Sequence, residues 1–136
     1  MMQEIRMTAE IIYQEKTFFF NTYALFEITR GNKNFVPYLK EIGIVTSRLN
    51  LMELYYRLVN LDGIDKAEFY FEKFRKFCIE IDDKTLKKAM IFRVQQKRRD
   101  LSYVDCIGYI FAKYAGIKFL TGDMQFKDFD NVEYVK

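Results

Sequence analysis

Histidine is missing from all 136 residues. Its absence removes Ser-His-Asp and Cys-His mechanisms, and every histidine-ligated metal centre. Proline occurs once and glycine six times. No Pro/Gly linker therefore divides the chain, and one domain with one sizeable core is expected. No Gly-rich phosphate loop of the P-loop or dinucleotide type is present. The two cysteines, Cys78 and Cys106, lie far apart among apolar neighbours. They read as two buried thiols rather than a disulfide, are too few for a structural zinc site, and fit a reducing, cytoplasmic setting. No apolar run approaches the length of a membrane span. The opening "MMQEIRMTAEIIYQEK" lacks the apolar core of a signal peptide. Neither an internal repeat nor a low-complexity tract interrupts the sequence.

What is present is apolar and aromatic. Half the residues are hydrophobic and 18% are aromatic, a rich supply for packing. Charged residues of mixed sign give a formal net charge of +3, which suits a solvated surface and is compatible with a polyanionic partner. Any catalytic chemistry falls to carboxylates, lysines and a hard metal ion.

Short apolar runs alternate with helical patterns. Strands are expected at "TFFF" (17 to 20), "GIVTS" (43 to 47), "CIEI" (78 to 81), "IKFLT" (117 to 121) and "VEYV" (132 to 135). Helices are expected over 22 to 30, within "NKNFVPYLKEIG", over 48 to 61, 65 to 77, 82 to 99 and 102 to 116. This alternation predicts an α/β fold with a mostly parallel sheet of four or five strands, covered on both faces. Phe69, Phe71, Phe74 and Phe77 recur at helical spacing, which suits a core or a dimer interface.

Polar residues stand in unexpected places. Glu53 has apolar neighbours and shares its helix face with Asn50 and Arg57, so it reads either as an i,i+4 partner of Arg57 or as a site acid. Asp105 follows Ser102 at capping-box spacing, and one carboxylate oxygen can cap while the other serves a metal. Asp123 follows a strand, either as a turn aspartate or as an acid at the carboxyl edge of a parallel sheet, where open α/β folds bind ligands. Asn21 follows the first strand and fits an N-cap. Asp128 and Asp130 fall in a polar loop and read as solvated. The basic run "QQKRR" at 95 to 99 reads as charge favourable to a helix C-terminus, or as a nucleic-acid surface. Acids spread over several elements can together hold Mg²⁺ or Mn²⁺, which prefer carboxylates and water and need no histidine.

The order and spacing of "FFFNTYALFEITRGN", "VTSRLNLMELYYRLV", "LSYVDCIGYIFAKYAGIKFLTGD" and "FKDFDNVEYVK" resemble the PIN-domain family of small metal-dependent nucleases, which includes virulence-associated toxin ribonucleases. The third block is the most specific. The resemblance covers 17 to 136, leaving 1 to 16 as an N-terminal extension with Met1 or Met7 as the start. It implies a three-layer α/β/α sandwich. It also implies a toxin-like, metal-dependent endoribonuclease using Mg²⁺ or Mn²⁺. The family's four acids fall at Asn21, Glu53, Asp105 and Asp123. Thr121 is the small polar residue beside the last acid, and Ser102 supports the third. The implied partners are RNA, an antitoxin-type protein and a second copy in a homodimer, with no membrane. Arg48 and Lys118 are candidates for holding the phosphate backbone. Asn21 departs from the family's aspartate, and a catalytically inactive RNA- or protein-binding module is the alternative.

Overall fold

The phenylalanine triplet forms the middle strand of a parallel sheet. The computed structural model describes residues 16 to 136; the expected extension lies outside the described residues except for Lys16, and so does the choice of start. In chain order the elements are β1 (Thr17–Phe20), α1 (Thr22–Thr29), a 3-10 helix (Lys33–Leu39), β2 (Gly43–Ser47), α2 (Arg48–Asp62), α3 (Ile64–Arg75), β3 (Cys78–Ile79), α4 (Asp83–Gln95), α5 (Tyr103–Ala115), β4 (Lys118–Thr121), a short 3-10 turn (Met124–Phe126) and β5 (Val132–Tyr134). The strands lie in the order β3-β2-β1-β4-β5, and every pairing is parallel.

Successive strand side chains point to opposite faces. Phe19 therefore enters a core formed with α4 and α5, while Phe18 and Phe20 join the cluster under α1, α2 and α3. Phe119 and Leu120 of β4 divide in the same way. Phe19 sits in register with Phe119, and their rings stack at 5.9 Å. The single core expected from length is thus two clusters, because the sheet separates them. Burying a phenylalanine side chain completely contributes roughly 1.5–3 kcal/mol, and Phe19, Phe20 and Phe119 are all fully buried.

Several element ends differ from the sequence expectation. α4 stops at Gln95, and Lys97, Arg98 and Arg99 follow in a turn. Arg99 instead clamps Asp128 with two guanidinium hydrogen bonds, 2.9 and 3.0 Å long. β3 is only Cys78–Ile79. The helix around Pro37 is of the 3-10 kind. Cys106 is buried as expected, but Cys78 is only half-buried; neither is in a disulfide. Phe74 is buried, Phe71 packs partly buried on the same core, and Phe69 is 61% exposed.

The topology places a crevice. From β1 the chain steps outward through β2 to β3, then crosses back to β4 on the other side of β1. The carboxyl ends of β1 and β4 flank this reversal of strand order, the position at which open α/β sheets bind ligands.

Candidate active site

Asn21 is the first residue beyond β1, and Thr121 is the last of β4. The Asn21 amide donates from Nδ2 to Thr121 Oγ1 across the crevice at 3.1 Å. The same hydroxyl oxygen accepts the Asp123 backbone N–H at 3.2 Å. Asn21 stands at the N-cap of α1 with extended backbone angles, yet its side chain makes no capping bond. The cap expected there is therefore one of position only. The amide turns toward the crevice, and its Oδ1 is buried without a hydrogen-bond partner among the described residues. Buried polar atoms rarely remain unpaired, and each one calls for an explanation.

Glu53 comes to the crevice from α2. Its Oε1 accepts the Thr22 hydroxyl at 2.7 Å. The expected ion pair with Arg57 does not form; the Arg57 guanidinium lies over the Phe26 ring, 3.5 Å from its centroid. A stacked guanidinium is a stable alternative for arginine on an aromatic surface. Asp105 arrives through a true capping box. The Asp105 backbone N–H donates to Ser102 Oγ at 3.0 Å, and the Ser102 backbone N–H donates to Asp105 Oδ2 at 3.1 Å. Asp123 accepts the Gln125 backbone N–H on Oδ1 at 3.0 Å, capping the short 3-10 turn. Each expected local role of Asp105 and Asp123 is thus real, and both acids still sit at the carboxyl edge.

The acids feel one another. Burial pushes the Glu53 carboxyl above the ordinary glutamate value; the Thr22 hydrogen bond opposes this and the Asp105 charge adds to it. Burial also raises Asp105, reinforced by the Asp123 charge and opposed by Ser102 and the Asn21 amide. No ion pair among the described residues includes Glu53, Asp105 or Asp123. No three Asp, Glu, Cys or His side chains among the described residues close into a metal-holding group by themselves. The donor set is instead carboxylates plus the unpartnered Asn21 carbonyl, all hard oxygens. That set fits Mg²⁺ or Mn²⁺, ions that keep several waters and take few protein ligands.

Glycine shapes this edge. A Cβ at Gly122 would come within 2.2 Å of the Val135 carbonyl oxygen and 2.4 Å of the Tyr23 ring, so no side chain fits between Thr121 and Asp123. Arg48 begins α2 on the carboxyl side of the sheet, exposed. Lys118 opens β4 and is also exposed, which places it at the opposite edge, away from the acids. Asp128 and Asp130 are exposed but engaged, with Arg99 and with Tyr109 and Lys113 respectively. Sequence reasoning missed Thr22, Ser47 and Asn50, which reach Glu53 through hydrogen bonds. Ser47 three residues before Asn50, at the start of a helical pattern, was the available signal.

Fold and site together define an open parallel α/β domain with an acid-lined crevice at its switch point. The PIN domain family model matches residues 18–132, and the chain belongs to the PIN-domain family. No curated protein matches the sequence. Among solved structures it is similar to VapC20 of Mycobacterium tuberculosis, a sarcin-ricin loop cleaving toxin, with a TM-score of 0.76 and 17% identity over 88% of this chain and 99% of that one. It is similar to VapBC2 from Rickettsia felis, solved bound to a DNA fragment from the promoter (TM-score 0.69, 18% identity, 88% and 99% covered). A toxin-antitoxin complex from Klebsiella pneumoniae gives a TM-score of 0.66 at 17% identity, covering 85% and 94%. At such identities the likeness establishes the fold.

Proposed function

We propose that this chain is a toxin-like, divalent-metal-dependent endoribonuclease whose acidic site is weakened by Asn21. The observation that carries the reading is the buried Asn21 Oδ1, unpartnered among the described residues, at a crevice whose acids Glu53 and Asp105 are pushed up first by burial and then by a neighbouring carboxylate and form no ion pair among the described residues. Glu53, Asp105, Asp123 and the Asn21 carbonyl would hold Mg²⁺ or Mn²⁺, which supplies Lewis acidity and a water of lowered pKa. Asp105 and Asp123 are fixed by their capping bonds, so they present charge at a set place. Asn21 brings an oxygen but no charge and cannot act as a base. Losing one of four charges beside a divalent ion weakens its binding by on the order of a few kcal/mol, less after solvent compensation. RNA would lie over the carboxyl edge, past Arg48.

The toxin reading extends to partners. The solved relatives include toxin-antitoxin and VapBC assemblies. Exposed Met52, Tyr56, Leu61, Ile64 and Phe69 on α2 and α3 suit an antitoxin-type protein or a second copy. Among the described residues no helix is long and apolar enough to cross a membrane.

A second reading has its own observation. Asn21 supplies no charge where the other crevice residues supply one, which favours a non-catalytic RNA- or protein-binding module. Mn²⁺-dependent cleavage of a mixed RNA substrate, run side by side with Asn21→Asp, decides between them. The weakened nuclease predicts slow cutting that Asn21→Asp accelerates at limiting Mn²⁺. No cutting by either form, with metal-independent RNA binding at low salt, would establish the module instead.

A further inference from the structure

Behind Glu53 runs a chain of hydrogen bonds, buried at its Ser47–Asn50 end and part-buried at Thr22 and Glu53. Ser47 Oγ donates to Asn50 Oδ1 at 2.6 Å. Asn50 Nδ2 donates to Thr22 Oγ1 at 3.1 Å. Thr22 Oγ1 donates to Glu53 Oε1 at 2.7 Å. Ser47 is 1% exposed and Asn50 fully buried. We infer that Asn50 and Thr22 are positioning residues, which hold the Glu53 carboxylate for a cation in the crevice. This inference rests on the metal-site reading above.

Proton counting gives the chain one direction. A hydroxyl carries a single proton, while an amide offers donors at one end and an acceptor at the other. The Thr22 proton goes to Glu53, which is an acceptor only. Toward Asn50, Thr22 can therefore only accept, and the Asn50 amide must present its NH₂. The other end of that amide must then accept, and Ser47 supplies the proton. Ser47 Oγ in turn accepts the Asn50 backbone N–H at 3.3 Å, capping α2. The same residues that start the helix thus fix the amide, the amide fixes the hydroxyl, and the hydroxyl fixes one carboxylate oxygen. Thr22 engages only Oε1, so Oε2 is the oxygen available to a ligand.

The chain also ties three elements together at the crevice: the end of β2 through Ser47, α2 through Asn50 and Glu53, and the start of α1 through Thr22. Capping of α2 requires the Ser47 hydroxyl and the backbone N–H of residue 50, which any residue but proline supplies. The bond from the Asn50 amide to Thr22 and the bond from Thr22 to Glu53 lie outside that cap.

Thr22→Val keeps the side-chain shape and removes the proton. Thr22→Ser keeps the proton. Asn50→Asp keeps the shape and presents an acceptor to Thr22, so that two carboxylates compete for one proton. The two Thr22 variants and the unaltered chain are compared by equilibrium Mn²⁺ binding, read from the electron paramagnetic resonance of free Mn²⁺. The Glu53 γ-methylene proton shifts of all three variants and the unaltered chain are measured by NMR without metal. Thr22→Val is expected to weaken Mn²⁺ binding roughly ten- to hundred-fold, as loss of an outer hydrogen bond to a metal ligand does. It is also expected to merge the two γ-proton shifts as the side chain gains freedom. Thr22→Ser restores both readouts, and Asn50→Asp merges the γ-proton shifts as Thr22→Val does; its added negative charge attracts the cation, so this variant is read by NMR alone. A folded Thr22→Val protein with unchanged Mn²⁺ affinity and distinct γ-proton shifts would overturn the proposal. If no form binds Mn²⁺, the metal-site reading fails by itself. The γ-proton shifts then still decide whether Thr22 and Asn50 position Glu53.

Discussion

At the scale of single residues, the crevice turns on which atom a polar side chain spends on the protein and which it keeps. Asn21 spends its NH₂ on Thr121 and Asp105 and keeps its carbonyl oxygen. Its position was legible in the sequence, since an asparagine directly after an apolar triplet is conspicuous. Its conformation was not. A strand-to-helix junction makes capping the default for asparagine, and only the closeness of β4 reveals a competing acceptor a hundred residues away. Glu53 is the same case: the i,i+4 rule points to Arg57, but Phe26, distant in sequence from both, takes the guanidinium. Thr121 is the acceptor common to both sides of the crevice. Thr121→Val should therefore remove the acceptor shared by the Asn21 amide and the Asp123 N–H and destabilise the fold by about 1–3 kcal/mol. Thr121→Ser, which retains the oxygen, should cost clearly less. Urea unfolding of the two variants checks this, and equal losses would show that the methyl group, not the oxygen, matters.

Elements were more legible than their ends. Helix starts at Asp82 and Ser102 carry side-chain caps, and Gly116 ends α5 in the left-handed conformation that glycine adopts without strain. α4 has no such stop in its sequence, so the basic residues after Gln95 read as helix while tertiary bonds pull Arg99 to Asp128 and the Gln125 carbonyl. The seating of α5 on the sheet was also hidden. Gly108 lies in the middle of that helix, where glycine costs about 1 kcal/mol of helix propensity. Its reason is contact: a Cβ there would lie 2.6 Å from the Phe19 ring and 3.1 Å from the Phe119 ring. Both rings are fully buried, so they would have to shift within the packed core. Gly108→Ala should thus destabilise despite its better propensity, by about 1–3 kcal/mol as overpacking does, less the propensity gain. Because Phe19 leads directly through β1 to Asn21, the same change should also weaken Mn²⁺ binding. A stabilised Gly108→Ala protein would mean that α5 can lift off the sheet freely.

On the scale of the whole molecule, the parallel sheet decides what the sequence can disclose. It gathers acids that lie far apart along the chain to one edge. Their order marks the fold, but their shared surroundings emerge only when β1 and β4 pair. The loop that leads to the edge strand β5 is tied back to α5 by tertiary bonds, and these respond to pH. Tyr109, on α5, donates to the Asp130 carboxylate in the loop that leads to β5. That hydrogen bond, with Lys113 nearby, holds the Asp130 carboxyl below its ordinary value. The Tyr109 hydroxyl is pushed well above its ordinary value, by burial first and then by Asp130. The two signs differ. A depressed aspartate adds stability that is present above its unfolded pKa, about 3.9, and is lost as pH falls through the lower folded value. A raised tyrosine adds stability that is complete below its unfolded pKa, about 10, and is lost as pH rises toward the folded value. One hydrogen bond therefore steepens both flanks of the stability curve. Tyr109→Phe should lower the plateau near neutral pH and flatten both flanks, because phenylalanine neither ionises nor holds Asp130. Arg99, Arg30 and Thr85 hold Asp128, Asp62 and Asp82 down in the same way, so an acid flank remains in the variant while the alkaline one is reduced most. Urea midpoints from pH 3 to 11 for both proteins read this difference. An alkaline flank unchanged by Tyr109→Phe would place the responsible hydroxyl elsewhere, with Tyr38, which burial and Glu133 push up to about 12, as the next to replace.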